Sequence, residues 1–231
     1  MPELDSSLLL STLRTELRGA WATLAAAHAQ DRLYGFGVYT TDSASYLMVT
    51  AFSEAGLERC VADYTRSKTG KGKDPALQRV SLRWSPCDSP LHEEGSGLLP
   101  ESDRIVQELD AEGGGADEDD DDDDFDGEDD EDDYFDDEEQ DPAVGEVFRI
   151  AVQVLQEMDR DGLFGTGADR ERLVLCVWKG DQSNVERYDF AKALNPPTVA
   201  KRFGEEMNAG IRAFYQVYMP DEELPEDDVF E

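Results

Sequence analysis

Residues 33–40 read LYGFGVYT, and after a short polar link residues 46–52 read YLMVTAF. Both runs are rich in aromatic and β-branched residues, which favour strands. A short link joins antiparallel neighbours, so the two runs predict a β-hairpin. In the first run bulky residues alternate with Gly35 and Gly37. One face of this strand is therefore nearly bare, and we expect another element to pack closely over the glycines.

A second apolar run, LVLCVW at residues 173–178, has the continuous pattern of a strand buried on both faces. A strand at the centre of a sheet needs partners on both sides, and the region 33–84 supplies the other strands. A third strand in that region is predicted over residues 77–84. We therefore expect both halves of the chain to share one sheet.

Helical periodicity surrounds these strands, because apolar residues recur there at three- and four-residue steps. Helices are predicted over residues 9–28, 53–64, 102–109, 144–158 and 199–218. Asn195 is the predicted N-cap of the last helix, and the prolines that follow it suit a first turn. The predicted fold class is α+β: a single domain whose mixed or antiparallel sheet has helices packed on it.

A highly acidic stretch interrupts this pattern. Between Asp117 and Asp141, 20 of 25 residues are acidic and none is basic. Their repulsion is only partly screened over a Debye length of about 8 Å, and the apolar surface is too small to order the backbone. We predict a disordered acidic insert over residues 113–141. It divides the domain into a first part, 1–112, and a second part, 142–218, with an acidic tail at 219–231.

The overall charge limits the possible functions. The chain has 55 acidic and 21 basic residues and a formal charge of −34. Without 117–141 and 221–231, 28 acidic and 21 basic residues remain, a charge of −7. Such a body does not attract phosphate, so nucleic-acid binding is not expected.

Other sequence features bear on location and cofactors. No apolar run approaches the roughly 20 residues that span a membrane, so no membrane contact is expected. The first residues lack the basic region of a signal peptide, which predicts a cytoplasmic location. The three cysteines form neither a disulfide framework nor a metal pattern and are interpreted as reduced thiols. No cofactor is predicted.

The two histidines are the first places to look for chemistry. His28 lies on the apolar side of the first predicted helix, which favours a structural role. His92 follows a predicted strand on an irregular segment, where functional groups often lie. Together with Asp88 and with Glu93 or Glu94, His92 could form a metal site of nitrogen and oxygen ligands. The alternative, which we favour, is that His92 forms a hydrogen bond within its own loop. The candidate functional surface on this segment is Trp84, Asp88, His92, Glu93 and Glu94.

Two further features have an ordinary and a functional interpretation. The lysine-rich loop at residues 67–73, SKTGKGK, lacks the P-loop pattern and is interpreted as a solvated loop. The acidic insert carries the aromatic residues Phe125, Tyr134 and Phe135. Charge speeds encounter with a basic partner and aromatic rings anchor it, so these residues are a candidate partner-binding segment. A solubilising spacer is the alternative.

Several motifs follow one another along the chain. They are YGFGVYT (34–40), GLERCVADY (56–64), LRWSP (82–86) with HEEG (92–95), FRIAVQVLQEMDRDGLFG (148–165) and ALNPPTVAKRF (193–203). With these motifs the chain resembles a bacterial family known as domain of unknown function 4303. The resemblance covers nearly all of the chain outside the acidic insert and the tail, and the insert departs from the family pattern.

The resemblance implies a function without implying site residues. The family is similar in size to small intracellular proteins of bacterial polymorphic toxin systems, some of which are immunity proteins. The expected function is thus a non-enzymatic, immunity-type binding module that holds a protein partner, such as a basic protein, on an acidic surface. The alternatives are a metal-dependent hydrolase that uses the segment around His92, and an acidic chaperone or decoy that binds basic proteins through the insert. The oligomeric state stays open.

Overall fold

The structure is a computed structural model and describes residues 4–68, 70–113, 141–180, 182–222 and 224. The predictions that concern residues 114–140 lie outside this range. They are the disordered insert itself and its aromatic residues Phe125, Tyr134 and Phe135.

The described residues form a three-stranded mixed sheet. Its strands are β1 (Leu33–Thr40), β2 (Met48–Ser53) and β3 (Val174–Lys179), in the order β2-β1-β3. Strand β1 pairs with β2 antiparallel and with β3 parallel. The predicted hairpin and the α+β class are confirmed, and strands from both sides of the acidic stretch share one sheet.

Helices cover this sheet. They are α1 (Ser6–Ala27), α2 (Glu54–Arg66), α3 (Pro75–Leu82), α4 (Pro90–Gly95), α5 (Pro100–Gly113), α6 (Pro142–Arg160), α7 (Ala168–Arg172), α8 (Asn184–Leu194) and α9 (Pro197–Tyr218). Within the described part of the chain, none of them is both long and apolar enough to cross a membrane.

The two faces of the sheet have separate cores. Phe36, Val38 and Leu175 pack into the larger core, together with buried residues of α1 and α6. Cys176 and Trp178 belong to the smaller core, to which α8 and α9 contribute.

Neighbouring groups pack closely against the face of β1 that carries Gly35 and Gly37. A Cβ atom on Gly35 would lie 2.9 Å from the Trp84 ring, and one on Gly37 would lie 1.8 Å from the carbonyl oxygen of Cys176. A side chain at either position therefore requires its neighbours to move. The expectation that another element packs over these glycines is confirmed.

The predicted third strand at residues 77–84 is wrong, because residues 75–82 form helix α3. The Asp74 side chain accepts a hydrogen bond from the Ala76 amide at 2.8 Å, and Pro75 occupies the first turn. Gln78 and Leu82, four residues apart, form the buried face. Capping and a proline in the first turn thus decide the structure of this short segment.

The strand formed by the LVLCVW segment, β3, lies at an edge of the sheet, because β1 holds the central place and β3 pairs only with β1 among the described strands. Strand β3 is buried on both faces nevertheless. On its free edge the Asn195 side chain accepts from the Leu175 amide at 2.8 Å and donates to the Leu175 carbonyl at 2.7 Å. An amide side chain therefore satisfies backbone groups that a neighbouring strand would otherwise pair.

Asn195 consequently has a different role from the predicted one. It is the C-cap residue of α8, and its side chain also donates to the Ala191 carbonyl at 2.8 Å. Helix α9 has Pro196 at its N-cap position and no side-chain cap. The prediction of Asn195 as the cap of the last helix is wrong, because strand β3 engages its side chain.

Candidate functional site

The segment that carries the candidate surface forms a turn followed by a short helix. Trp84 lies in the turn after α3, and α4 packs against strand β2. The Ser89 side chain caps α4 and donates to the Ala51 carbonyl at 2.7 Å. This contact fixes the segment across the antiparallel edge strand.

The acidic residues of the segment have separate partners. Asp88 accepts from the Tyr64 hydroxyl at 2.6 Å and from the Ser85 hydroxyl at 2.5 Å. Glu94 pairs with His28, and Glu93 is exposed. In the part of the chain that the structure describes, no three histidine, cysteine or acidic side chains lie close enough to share a metal ion.

His92 is packed as an aromatic group. Its ring meets the Tyr39 ring edge to face, with centroids 4.8 Å apart. Its Nδ1 atom is buried and has no hydrogen-bond partner among the described residues. Burial lowers the pKa of His92, since the charged imidazole loses water. The geometry therefore gives His92 a packing role against β1, without the loop hydrogen bond that we favoured.

His28 joins two elements at the end of α1. Its Nδ1 lies 2.9 Å from an Asp31 carboxylate oxygen, and its Nε2 lies 2.5 Å from a Glu94 oxygen on α4. A protonated imidazole donates to both carboxylates. The hydrogen bond to Asp31 and the interaction with Glu94 raise the pKa of His28 despite some burial.

We expect His28→Gln to lower the free energy of unfolding by roughly 1 kcal/mol below about pH 6 and by less above pH 8. A raised pKa in the folded state contributes stability below the unfolded-state pKa, and this contribution is lost as pH rises through the folded-state pKa. Urea unfolding at several pH values measures the difference. His92→Gln is the matched control, because a lowered pKa contributes stability above the unfolded-state value and loses it as pH falls. Equal losses at all pH values in His28→Gln would contradict the pairing.

A cavity of about 350 Å³ lies beside Trp84, between α3, α8 and α9. Its apolar walls include Trp84, Met207, Ile211 and Phe214. The Trp84 indole nitrogen donates to Glu206 at 3.0 Å, which holds the ring in place. Phe214, which is 41% exposed, and Val80, 37% exposed, are the most exposed of the apolar residues around it. Trp84 is thus the one residue of the candidate surface that lines this cavity.

Of the described residues that line the cavity, one is charged, Arg187 of α8. Its Nε atom is buried and has no hydrogen-bond partner, and it forms no ion pair with any carboxylate of the described chain. The ionisable side chains that act on it electrostatically are those of Cys176, Tyr39 and Cys87. Burial lowers the pKa of Arg187, yet an arginine keeps its charge in proteins.

A wider cleft of about 570 Å³ lies on another side of the molecule, where the first residues of β1 meet Arg83 and Arg202. Arg83 and Arg202 already have partners within the chain. Arg83 pairs with Glu54 at 3.1 Å and with Glu206 at 3.0 Å. Arg202 donates to the carbonyl oxygens of residues 171 and 172. These two arginines of the cleft therefore hold elements of the fold together.

Most other basic side chains of the described residues are also paired with carboxylates of the same chain. Such pairs involve Arg14, Arg18, Arg66, Arg79, Arg104, Arg149, Arg170, Arg172, Lys179 and Lys192. Because acidic residues outnumber basic ones, the charge that is left after this pairing is negative.

Sequence reasoning missed Arg187 because it missed helix α8. The signal is present: Ser183 and Glu186 form a capping box, a pattern that marks the start of a helix. From that start Arg187, Ala191 and Leu194 are spaced by four and three residues, and the last two are buried. A helix assigned there places Arg187 on the inner face.

These features define a small α+β protein with a ligand-sized, mainly apolar cavity beside the sheet. The family model described as domain of unknown function DUF4303 matches residues 13–196, and the chain belongs to this family. No curated protein and no solved structure matches the chain.

Proposed function

We propose that the protein is a non-enzymatic binding protein of the immunity-protein type, which holds a basic protein partner on its acidic surface in the cytoplasm. The supporting observation is the distribution of charge. Most basic side chains of the described residues are engaged with carboxylates of the same chain, so the excess charge is negative. Such a surface attracts a basic partner and accelerates its encounter.

The hydrolase alternative finds less support in the geometry. A metal-assisted reaction needs ligands that converge on one point. Asp88 is held by Tyr64 and Ser85, whereas Glu94 is held by His28. The half-buried ring of His92 packs against Tyr39. This arrangement favours binding over metal chemistry on the segment.

The acidic chaperone or decoy and the proposed binding protein differ in the part of the chain that binds the partner. In that alternative residues 117–141, with Phe125, Tyr134 and Phe135, carry the affinity. In the proposal the folded body carries specificity and the acidic stretch adds long-range attraction. A variant in which residues 117–141 are replaced by an equally long Gly/Ser linker separates the two.

The test is a pull-down from the native cell, followed by titration of the purified partner against the full chain and the linker variant. We expect a basic partner whose dissociation constant rises at least about tenfold between roughly 50 and 500 mM salt. The linker variant is expected to bind the same partner more weakly but still specifically. Recovery of no specific partner, or binding that salt does not change, would contradict the proposal. Complete loss of binding in the linker variant would favour the decoy.

A further inference from the structure

We propose that the cavity beside Trp84 is a binding site for a small organic monocarboxylate with an aromatic or aliphatic body, whose carboxylate pairs with Arg187. Nothing in the family assignment describes such a site, and the proposal does not depend on the acidic surface. It depends on the shape of the cavity and on the isolation of one cation.

Arg187 has no counter-ion among the described residues. Burying a cation is costly unless it is paired and hydrogen-bonded. The chain has 55 acidic residues, and none of the described ones pairs with Arg187, although most other buried or half-buried basic residues have a carboxylate partner. An anion supplied from outside would complete this guanidinium.

The second argument is the lining of the cavity. A volume of about 350 Å³ falls in the range of small-molecule sites, which are mostly apolar with a few polar groups. The Trp84 ring is fixed by its hydrogen bond to Glu206 and by an edge-to-face contact with Phe203, with centroids 4.8 Å apart. Trp84, Met207 and Phe214 thus provide apolar and aromatic walls for a hydrophobic body.

The charge of the lining selects the class of anion. Among the residues that the structure describes, Arg187 is the only charged one that lines the cavity, so a single negative charge is balanced and a phosphate dianion is not. The planar guanidinium also suits a carboxylate, because two parallel N–H groups match its two oxygens. A monocarboxylate therefore fits the site better than a phosphate ester.

The test uses the full chain and two pairs of probes: 3-phenylpropionate with 3-phenylpropanamide, and hexanoate with hexanamide. Each amide keeps the shape of its acid and removes the charge. Isothermal titration is expected to show at least one acid binding about tenfold or more tighter than its amide, since hydrogen bonds to charged groups are the stronger ones. Phenyl phosphate is expected to bind no tighter than the acids. Failure of both acids, equal affinities within both pairs, or a clear preference for phenyl phosphate would overturn the proposal.

Substitutions inside and outside the cavity test whether the probes bind beside Arg187. Arg187→Met is expected to abolish the preference for the acid, whereas Arg212→Met, which removes the same charge from an exposed position on α9, is expected to retain it. An acid preference that survives Arg187→Met would overturn the proposal. If Arg187→Met does not fold, Phe214→Ala tests the site instead. The Phe214 side chain is 41% exposed, so the fold is expected to tolerate its loss. Phe214→Ala is expected to weaken both members of a pair about fivefold, and unchanged affinities would place the probe elsewhere.

Discussion

Replacing Gly37 with alanine is expected to lower the free energy of unfolding by about 3 kcal/mol. The new Cβ atom would lie 1.8 Å from the carbonyl oxygen of Cys176 and 2.8 Å from the Trp178 ring. Gly37 and Cys176 are paired in the parallel part of the sheet, so the oxygen belongs to backbone whose position the pairing with β1 fixes. The strain therefore falls on the contact that joins the two halves of the chain.

Gly19→Ala is the matched control for this substitution. Gly19 is exposed in the middle of α1, and a Cβ atom there meets nothing within 4 Å. Alanine is the better helix former, so this variant is expected to be more stable by up to about 1 kcal/mol. Urea unfolding followed by circular dichroism measures both variants. Wild-type stability in Gly37→Ala would mean that β1 and β3 are not packed as described.

Replacing Arg170 with methionine is expected to cost about 3–5 kcal/mol. The Arg170 side chain is 8% exposed, and its Nε donates to Asp159 at 2.6 Å. Its terminal nitrogens donate to the Leu173 carbonyl at 2.7 Å and the Leu194 carbonyl at 3.1 Å. One side chain thus ties α6 and α7 to the start of β3 and the end of α8. Methionine fills the space but leaves a carboxylate and buried carbonyl groups without donors.

Arg172→Met supplies the comparison, two residues further on. This side chain is 67% exposed and pairs with the exposed Asp169. Surface ion pairs contribute little, so the change is expected to be within about 0.5 kcal/mol. Arg170→Lys is expected to retain only part of the stability, because an ammonium group cannot reproduce the planar fork. Denaturant unfolding of the three variants gives the ranking, and similar losses in Arg170→Met and Arg172→Met would contradict it.

The helices and strands that were predicted correctly are those whose sequence patterns lie within a few consecutive residues. The hairpin and helix α6 were predicted because alternation and three- or four-residue spacing are local patterns. Helix α3 was mistaken for a strand because the segment from Leu77 to Trp84 is short and mixes apolar with polar residues, and so short a segment does not distinguish the two structures. Its cap, Asp74, and its first proline, Pro75, were the deciding local signals.

The candidate site was predicted in part. Trp84 does line the cavity, but Asp88, His92, Glu93 and Glu94 do not form one cluster. Their proximity in sequence is lost because a turn and helix α4 direct the side chains to different neighbours. Whether the aromatic residues of the acidic stretch bind a partner stays a prediction.

The amino-acid sequence by itself determined the α+β class, the location of β1, β2 and β3, the negative charge and the family, because periodicity, composition and short motifs are properties of neighbouring residues. Only the tertiary structure decided that β1 is central, that His28 meets Glu94, and that Arg187 faces an apolar cavity without a carboxylate. These features depend on which distant segments pack together. A charged side chain such as Arg187 points to a binding site only when its surroundings are known. The described structure shows both the groups that contact it and the lack of a carboxylate partner among them.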